Sequence, residues 1–286
     1  MMTNKPLLLP LEWIFARLPS GELRLEILKL KLAGALPMVP WSDLTSMMLR
    51  SCSRWPTESI IQPLANYPGA AAPVLFETPI GTIRWKEAGR QILGILILDQ
   101  LRGVYNRGPV GVRRGDIVID LGAALGTFTR HALTLGAGRV IAFEPDPMHV
   151  GYLKETFERE IAQDRVVIIP RAAWKEEAAL RLSSSGLTSH IAEQGDVEIQ
   201  ATTVDRVVED LNLSRVDFIK ADIEGAERDA LLGAARVIAR DHPRMALCIY
   251  HLPDDPKVIP ATVRKFHDAY RVFTNRGRTQ AFFSPE

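Results

Sequence analysis

Cysteine is scarce: Cys52 and Cys248 are the only two among 286 residues. Two thiols cannot build a disulfide framework or a Cys-rich zinc site, so both are read as small buried hydrophobes of a reducing cell. Neither sign of charge dominates. The 35 Lys and Arg oppose 34 Asp and Glu, a formal net charge of +1. That balance excludes a protein that coats polyanions and argues against a nucleic-acid partner. Long apolar runs are missing too. The richest, Ile92 to Leu98, has seven residues, and a spanning helix needs about 20. Leu7-Leu8-Leu9 is cut by Pro10 and Glu12, which leaves no signal-peptide core. The expected protein is soluble and cytoplasmic, with no membrane span; contact of the apolar N-terminal part with a membrane surface stays open. There is no internal repeat and no low-complexity segment.

What the chain has is an ordinary globular composition, 47% hydrophobic and 24% charged, enough to bury a core without staples. The texture changes near Gly115. Upstream, prolines punctuate short apolar stretches. A helix is expected within Glu22 to Leu36, a second from Ser42 or Asp43 to about Ser51, a hairpin over Val74 to Trp85, and a longer helix over Ala88 to Tyr105. Residues 1–110 are therefore expected to form a mainly helical cap or self-association subdomain. Downstream, short β-branched runs alternate with helical patterns. Strands are expected at 116–120, 139–143, 165–169, 216–221 and 245–250, with helices at 126–135, 147–161, 204–211, 227–240 and 258–270. This alternation predicts βαβ units and a mostly parallel, doubly wound sheet in residues 111–286. Leu180 to Ala201 breaks the rhythm as an inserted loop or hairpin. Arg271 to Thr274 and Thr279 to Phe283 are joined by a short turn, so the last strand must run antiparallel to its neighbour.

Ligands of such sheets bind beyond the carboxyl ends of the strands, near the switch point. The first strand ends in Asp120-Leu121-Gly122-Ala123-Ala124-Leu125-Gly126-Thr127, a G-x-x-x-G and not a G-x-G-x-x-G. The second ends in Glu144-Pro145, and Glu144 stands 22 residues after Gly122. An acid at that distance accepts hydrogen bonds from both ribose hydroxyls. Together these signals point to an adenosine-type cofactor. The blander alternatives are packing glycines, a solvated strand-end acid, and an Asp120 that either anchors the loop or orients the cofactor's amino-acid end.

The residues VIDLGAALGTFTRHAL at 118–133 and VIAFEPDP at 140–147 resemble class I S-adenosylmethionine methyltransferases. TTVD at 202–205, VDFIKADIEGAERDALLGA at 216–234 and ALCIYHLPDDPKVIP at 246–260 are similar to the FkbM family of methyltransferases. The resemblance covers about residues 110–275. It implies an α/β fold of class I methyltransferase type, mostly parallel with an antiparallel C-terminal strand, and S-adenosyl-L-methionine as cofactor. The expected cofactor contacts are Asp120, Gly122, Ala123, Gly126, Thr127, Glu144, Pro145, Ala173 and Asp222.

Methyl transfer to oxygen is an in-line displacement with a pre-activated donor, so the enzyme mainly aligns the acceptor, and a base that takes the hydroxyl proton adds about 10²–10⁴-fold. Lys220, Asp222 and Glu224 alternate along the fourth strand and its exit, on one side. His251 ends the fifth strand and suits general-base work. These four are the candidate catalytic residues, with Asp222 and His251 expected to lie side by side. Glu227 reads as an acid in a first helical turn, favoured by the helix dipole. The histidines at 131, 149, 190, 242 and 267 read as structural. A magnesium ion on Asp222 and the loop acids is compatible with a hydroxyl acceptor, but no ligand pattern demands it, and no metal site is assigned. The leading expectation is O-methylation of a small molecule such as a sugar or secondary metabolite. A nicotinamide oxidoreductase lacks its pyrophosphate-gripping glycines, a nucleic-acid methyltransferase lacks the aromatic motif after the fourth strand, and a non-catalytic module that kept the fold is the remaining alternative.

Overall fold

The computed structural model describes residues 28–34, 41, 62–63, 73–86, 90–183, 189–275 and 277–286. The centre of the fold is a seven-stranded sheet. Its strands are β4 (Ile117–Leu121), β5 (Arg139–Phe143), β6 (Val166–Ile169), β11 (Phe218–Ala221), β12 (Arg244–Cys248), β13 (Tyr270–Thr274) and β14 (Gln280–Pro285), in the order β13-β14-β12-β11-β4-β5-β6. β14 alone runs antiparallel to its neighbours, β12 and β13. β4 pairs in parallel with both β5 and β11. The chain moves outward from β4 to β6 and then returns to the other side of β4 as β11. The switch point therefore lies at the carboxyl ends of β4 and β11.

Period-two burial gives the sheet two dry faces. Ile119, Leu121, Ile141, Phe143, Ile219, Met245, Leu247 and Phe283 form one cluster with Val204, Leu231, Val237, Ile259 and Val263. These last come from α5 (Val204–Asp210), α6 (Glu227–Leu232), α7 (Ala235–Asp241) and α8 (Asp255–Phe266). Val118, Val140, Phe218, Ala246, Cys248 and Phe282 face Phe128 and Ala132 of α2 (Thr127–Thr134) on the other side. Each fully buried large side chain stabilises the fold by about 1.5–3 kcal/mol. Cys248 is buried as expected; Cys52 lies outside the described residues.

Two expected helices are broken. The segment expected at 147–161 is α3 (Pro147–Thr156) followed by α4 (Glu158–Ala162), with Phe157 between them at φ −109° and ψ 19°. Phe157 is fully buried, and its ring contacts the Arg130 guanidinium, so tertiary packing outranks helix continuation there. The segment expected at 227–240 divides into α6 and α7 at Gly233 and Ala234, where Gly233 lies against the Trp174 carbonyl. The insertion is a second sheet, with β7 (Ala172–Ala173), β8 (Ala178–Ser183), β9 (His190–Ile191) and β10 (Val197–Thr202) in the order β7-β10-β8-β9.

Upstream, β1 (Gln62–Pro63), β2 (Pro73–Glu77) and β3 (Ile83–Lys86) form an antiparallel sheet that contains the expected hairpin. α1 (Arg90–Leu101) is shorter than expected because residues 102–105 turn back toward the large sheet. Its central stretch, Ile92 to Leu98, is apolar, and Leu93, Ile95, Ile97 and Leu98 are buried. Phe76, Ile83, Trp85, Leu93 and Ile97 share one apolar cluster with Leu125 of the β4 loop. The Arg84 amide donates to Thr156 Oγ1 at 2.9 Å, so this unit sits directly on α3. Residues 28–32 are helical, within the first expected helix; the second lies outside the described residues. The described part of 1–110 thus mixes sheet with helix and is not helical alone. Among the described residues, no helix is long and apolar enough to cross a membrane.

Candidate active site

Sheet register builds the inner part of the site. Lys220 and Asp120 are direct partners on adjacent parallel strands, so their side chains emerge together on the α2 face. Lys220 Nζ lies 3.0 Å from Asp120 Oδ1, with side-chain exposures of 5% and 0%. Thr129 Oγ1 donates to Asp120 Oδ2 at 2.6 Å. Lys220 Nζ also donates to the carbonyls of Leu121 and Gly122 at 3.0 and 2.6 Å. Burial pushes the ammonium's pKa down, but Asp120 and Asp222 outweigh it, and the group is held above its ordinary value. Both side chains are therefore anchors of the β4 loop. For Asp120 this geometry matches the loop-anchor alternative, and Lys220, expected among the catalytic residues, is its partner in that anchor.

The loop itself is folded by its glycines. Gly122 has φ 78°, and a Cβ there would collide with the Asp222 carbonyl oxygen. Gly126 has φ 75°, and its Cβ would enter Phe157 and Leu153. Only glycine combines this conformation with such approach. Packing thus accounts for both glycines, and it joins the β4 loop to the β11 exit. The amides of Gly122 and Ala123 donate to the Phe143 carbonyl, each at 3.0 Å. Glu144, 5% exposed, accepts from the Ala124 amide at 2.8 Å and from the Asp146 amide at 2.9 Å, one on each oxygen. Each oxygen keeps a second lone pair. Thr127 is buried at the start of α2, and Pro145 is half-buried just before the Asp146 cap of α3. Ala123 is buried under the loop, and Ala173 lies in β7, packed in the core below α5.

The outer part gathers at the ends of β11 and β12. His251 Nε2 lies 3.6 Å from Asp222 Oδ1 and 3.6 Å from Glu224 Oε2, and Nδ1 lies 3.0 Å from Glu227 Oε1. The structure therefore brings Asp222, Glu224 and His251 together. Glu227 is fully buried and accepts from the amides of Ile223 and Gly225 at 2.9 and 3.1 Å. It braces the loop and the imidazole, which the helix-dipole reading missed. Glu224 does not continue the strand alternation: its φ is 54°, a conformation that costs a non-glycine residue about 1–3 kcal/mol.

Tyr105 OH donates to Asp222 Oδ2 at 2.6 Å, and Tyr250 OH lies 3.4 Å from Oδ1. Burial pushes the Asp222 carboxyl up, but Lys220, His251 and the Tyr105 hydroxyl more than offset it, leaving it below the usual range. Burial lowers His251, yet Glu227, Asp222 and Glu224 raise it to about 9. Burial, with Asp222 beside it, raises Glu224 to about 7. The three carboxylates therefore favour the protonated form of His251 while no ligand occupies the cluster. Sequence reasoning missed Tyr105 altogether, since 117 residues separate it from Asp222. It also set His190 aside, although the inserted sheet brings this residue near enough to Glu224 to act on its charge.

A profile of the methyltransferase FkbM domain matches residues 120–278. The chain belongs to the FkbM methyltransferase family. The methyltransferase FkbM from Methylobacillus flagellatus KT is a structural neighbour at 19% identity with a TM-score of 0.51, covering 70% of this chain. This chain spans 56% of the length of that one. Aeropyrum pernix fibrillarin, solved with natively bound S-adenosyl-L-methionine, aligns at 16% identity and a TM-score of 0.37, over 78% of this chain and 97% of its own. No curated protein matches the chain. The FkbM neighbour supports the class I methyltransferase fold, with which the large, mostly parallel sheet and its helices agree.

Proposed function

We propose that this chain is an S-adenosyl-L-methionine-dependent methyltransferase that methylates a hydroxyl of a small molecule. The observation that carries the reading is the contact between Gly122 and the Asp222 carbonyl, which seats a carboxylate–imidazole cluster against the β4 loop at the switch point. The donor set suits a cationic nucleoside. Glu144 keeps lone pairs for two ribose hydroxyls beside the loop amides. Near the β11 exit, the carboxylates of Asp120, Asp222, Glu224 and Glu227 outnumber the cations of Lys220 and His251, a field that favours a sulfonium. When bound, the cofactor supplies a methyl group on a positively charged sulfur.

The chain's residues do the rest. The Lys220–Asp120 pair holds the β4 loop in place. The Glu224 carboxylate, which burial and the neighbouring Asp222 raise to about 7, receives the acceptor's hydroxyl proton as the oxygen–carbon bond forms and the carbon–sulfur bond breaks, with Asp222 ionised beside it. His251, braced by Glu227, stands near both carboxylates and balances their charge. The test is incubation with methyl-labelled S-adenosylmethionine and a panel of sugar and secondary-metabolite hydroxyls. Label should appear as a methyl ether, and Glu224→Gln should lower turnover by about 10²–10⁴-fold with cofactor affinity nearly intact. Label found on nitrogen or carbon acceptors alone would overturn the hydroxyl assignment.

A further inference from the structure

We infer that Asp222, Glu224 and His251 form a binding site for a divalent cation of the Mn²⁺-to-Zn²⁺ class. One ligand atom from each residue lies within 4.8 Å of the other two. The spacings of 3.6 Å from His251 Nε2 to each carboxylate oxygen are too long for good hydrogen bonds. They match two ligands of one ion: donors about 2.1 Å from a tetrahedral metal stand about 3.4 Å apart. The second observation is the imidazole itself. Its side chain is 7% exposed, and Nε2 is buried with no hydrogen-bond partner. A buried imidazole nitrogen 3.6 Å from each of two carboxylate oxygens and hydrogen-bonded to neither points to a ligand that can fill the gap.

The surroundings are built as metal sites are. Glu227 Oε1 stands 3.0 Å from the other ring nitrogen, and two loop amides hold that carboxylate. A carboxylate behind the distal nitrogen fixes ring orientation and raises ligand basicity. The Tyr105 hydroxyl, donating to Asp222 Oδ2 at 2.6 Å, fixes the orientation of that carboxylate. Three protein ligands, all at partly exposed residues, leave further coordination positions open, as in catalytic sites. One imidazole with two carboxylates suits borderline first-row ions better than magnesium, which prefers oxygen ligands alone. The cation's place in the reaction rests on the methyltransferase reading, but the binding site does not.

The test uses the full chain, stripped with a chelator and titrated calorimetrically with MnCl₂, ZnCl₂ and MgCl₂ in the absence of cofactor. One saturable site is expected for Mn²⁺ and Zn²⁺, with Mg²⁺ weaker. Glu224→Gln and His251→Gln, each checked for folding by circular dichroism, should each weaken binding at least tenfold. Wild-type protein that binds none of the three ions, binding that both folded variants retain unchanged, or a site that takes Mg²⁺ alone would each overturn the inference. Because no cofactor or acceptor is present, a failed methyl-transfer assay leaves this result standing, and the reverse holds too.

Discussion

Replacing Lys220 by methionine isolates the anchor of the β4 loop. The substitution keeps the apolar stem and removes the ammonium. It strands the Asp120 carboxylate, whose side chain has 0% exposure, with Thr129 as its remaining hydrogen-bond donor. It also takes the Lys220 donor from the carbonyls of Leu121 and Gly122. Breaking a buried pair on one side costs about 3–5 kcal/mol, mostly through the uncompensated charge. The folded-state pKa of Lys220 lies above 10.5, so its contribution is fully present at neutral pH and is lost only as pH rises through that value. The assay is guanidinium unfolding at neutral pH, with an unchanged denaturant slope confirming comparable transitions. Asp120→Asn combined with Lys220→Met removes the stranded charge and should recover about 1–3 kcal/mol relative to additivity. A loss below about 1 kcal/mol for Lys220→Met, or strict additivity in the double variant, would refute the anchoring role.

Gly122→Ala should destabilise the protein by about 2–4 kcal/mol in the same assay, because a positive φ and a collision with the Asp222 carbonyl act together. A neutral Gly122→Ala would mean that the loop stands farther from β11. Tyr105→Phe removes one hydrogen bond to a carboxylate whose side chain is 25% exposed, so water replaces part of it and the stability loss should be about 1 kcal/mol. Its turnover should fall while cofactor affinity holds; unaltered turnover would show that Tyr105 does not orient Asp222.

The seven-stranded sheet was legible because strand and helix periods alternate after Gly115 on both sides of the 180–201 insertion, and the short turn between β13 and β14 allows only an antiparallel return. Helix breaks at Phe157 and Gly233 were not, since each is decided by a distant partner, Arg130 in one case and the Trp174 carbonyl in the other. Ala172–Ala173 pairs in parallel with Ala201–Thr202, a ladder of small residues with no periodicity to announce it. In the site, Asp222, Glu224 and His251 were legible from their places at strand ends. The division of labour was not. Asp120 and Lys220 become anchors through register across two strands, and Glu227 turns inward to brace His251 although a first-turn acid usually faces water. Tyr105 carries no local signal, because residues upstream of the matched family domain deliver it.

The most direct test of the account is calorimetric titration of the full chain with S-adenosylmethionine and, separately, with NAD. The account predicts one site for S-adenosylmethionine and none for NAD. It also predicts that Glu144→Ala, which removes both ribose acceptors, weakens S-adenosylmethionine binding at least tenfold, since each charge-assisted hydrogen bond contributes about 1.5–3 kcal/mol. Binding of NAD in place of S-adenosylmethionine, or unchanged affinity in a folded Glu144→Ala protein, would contradict it.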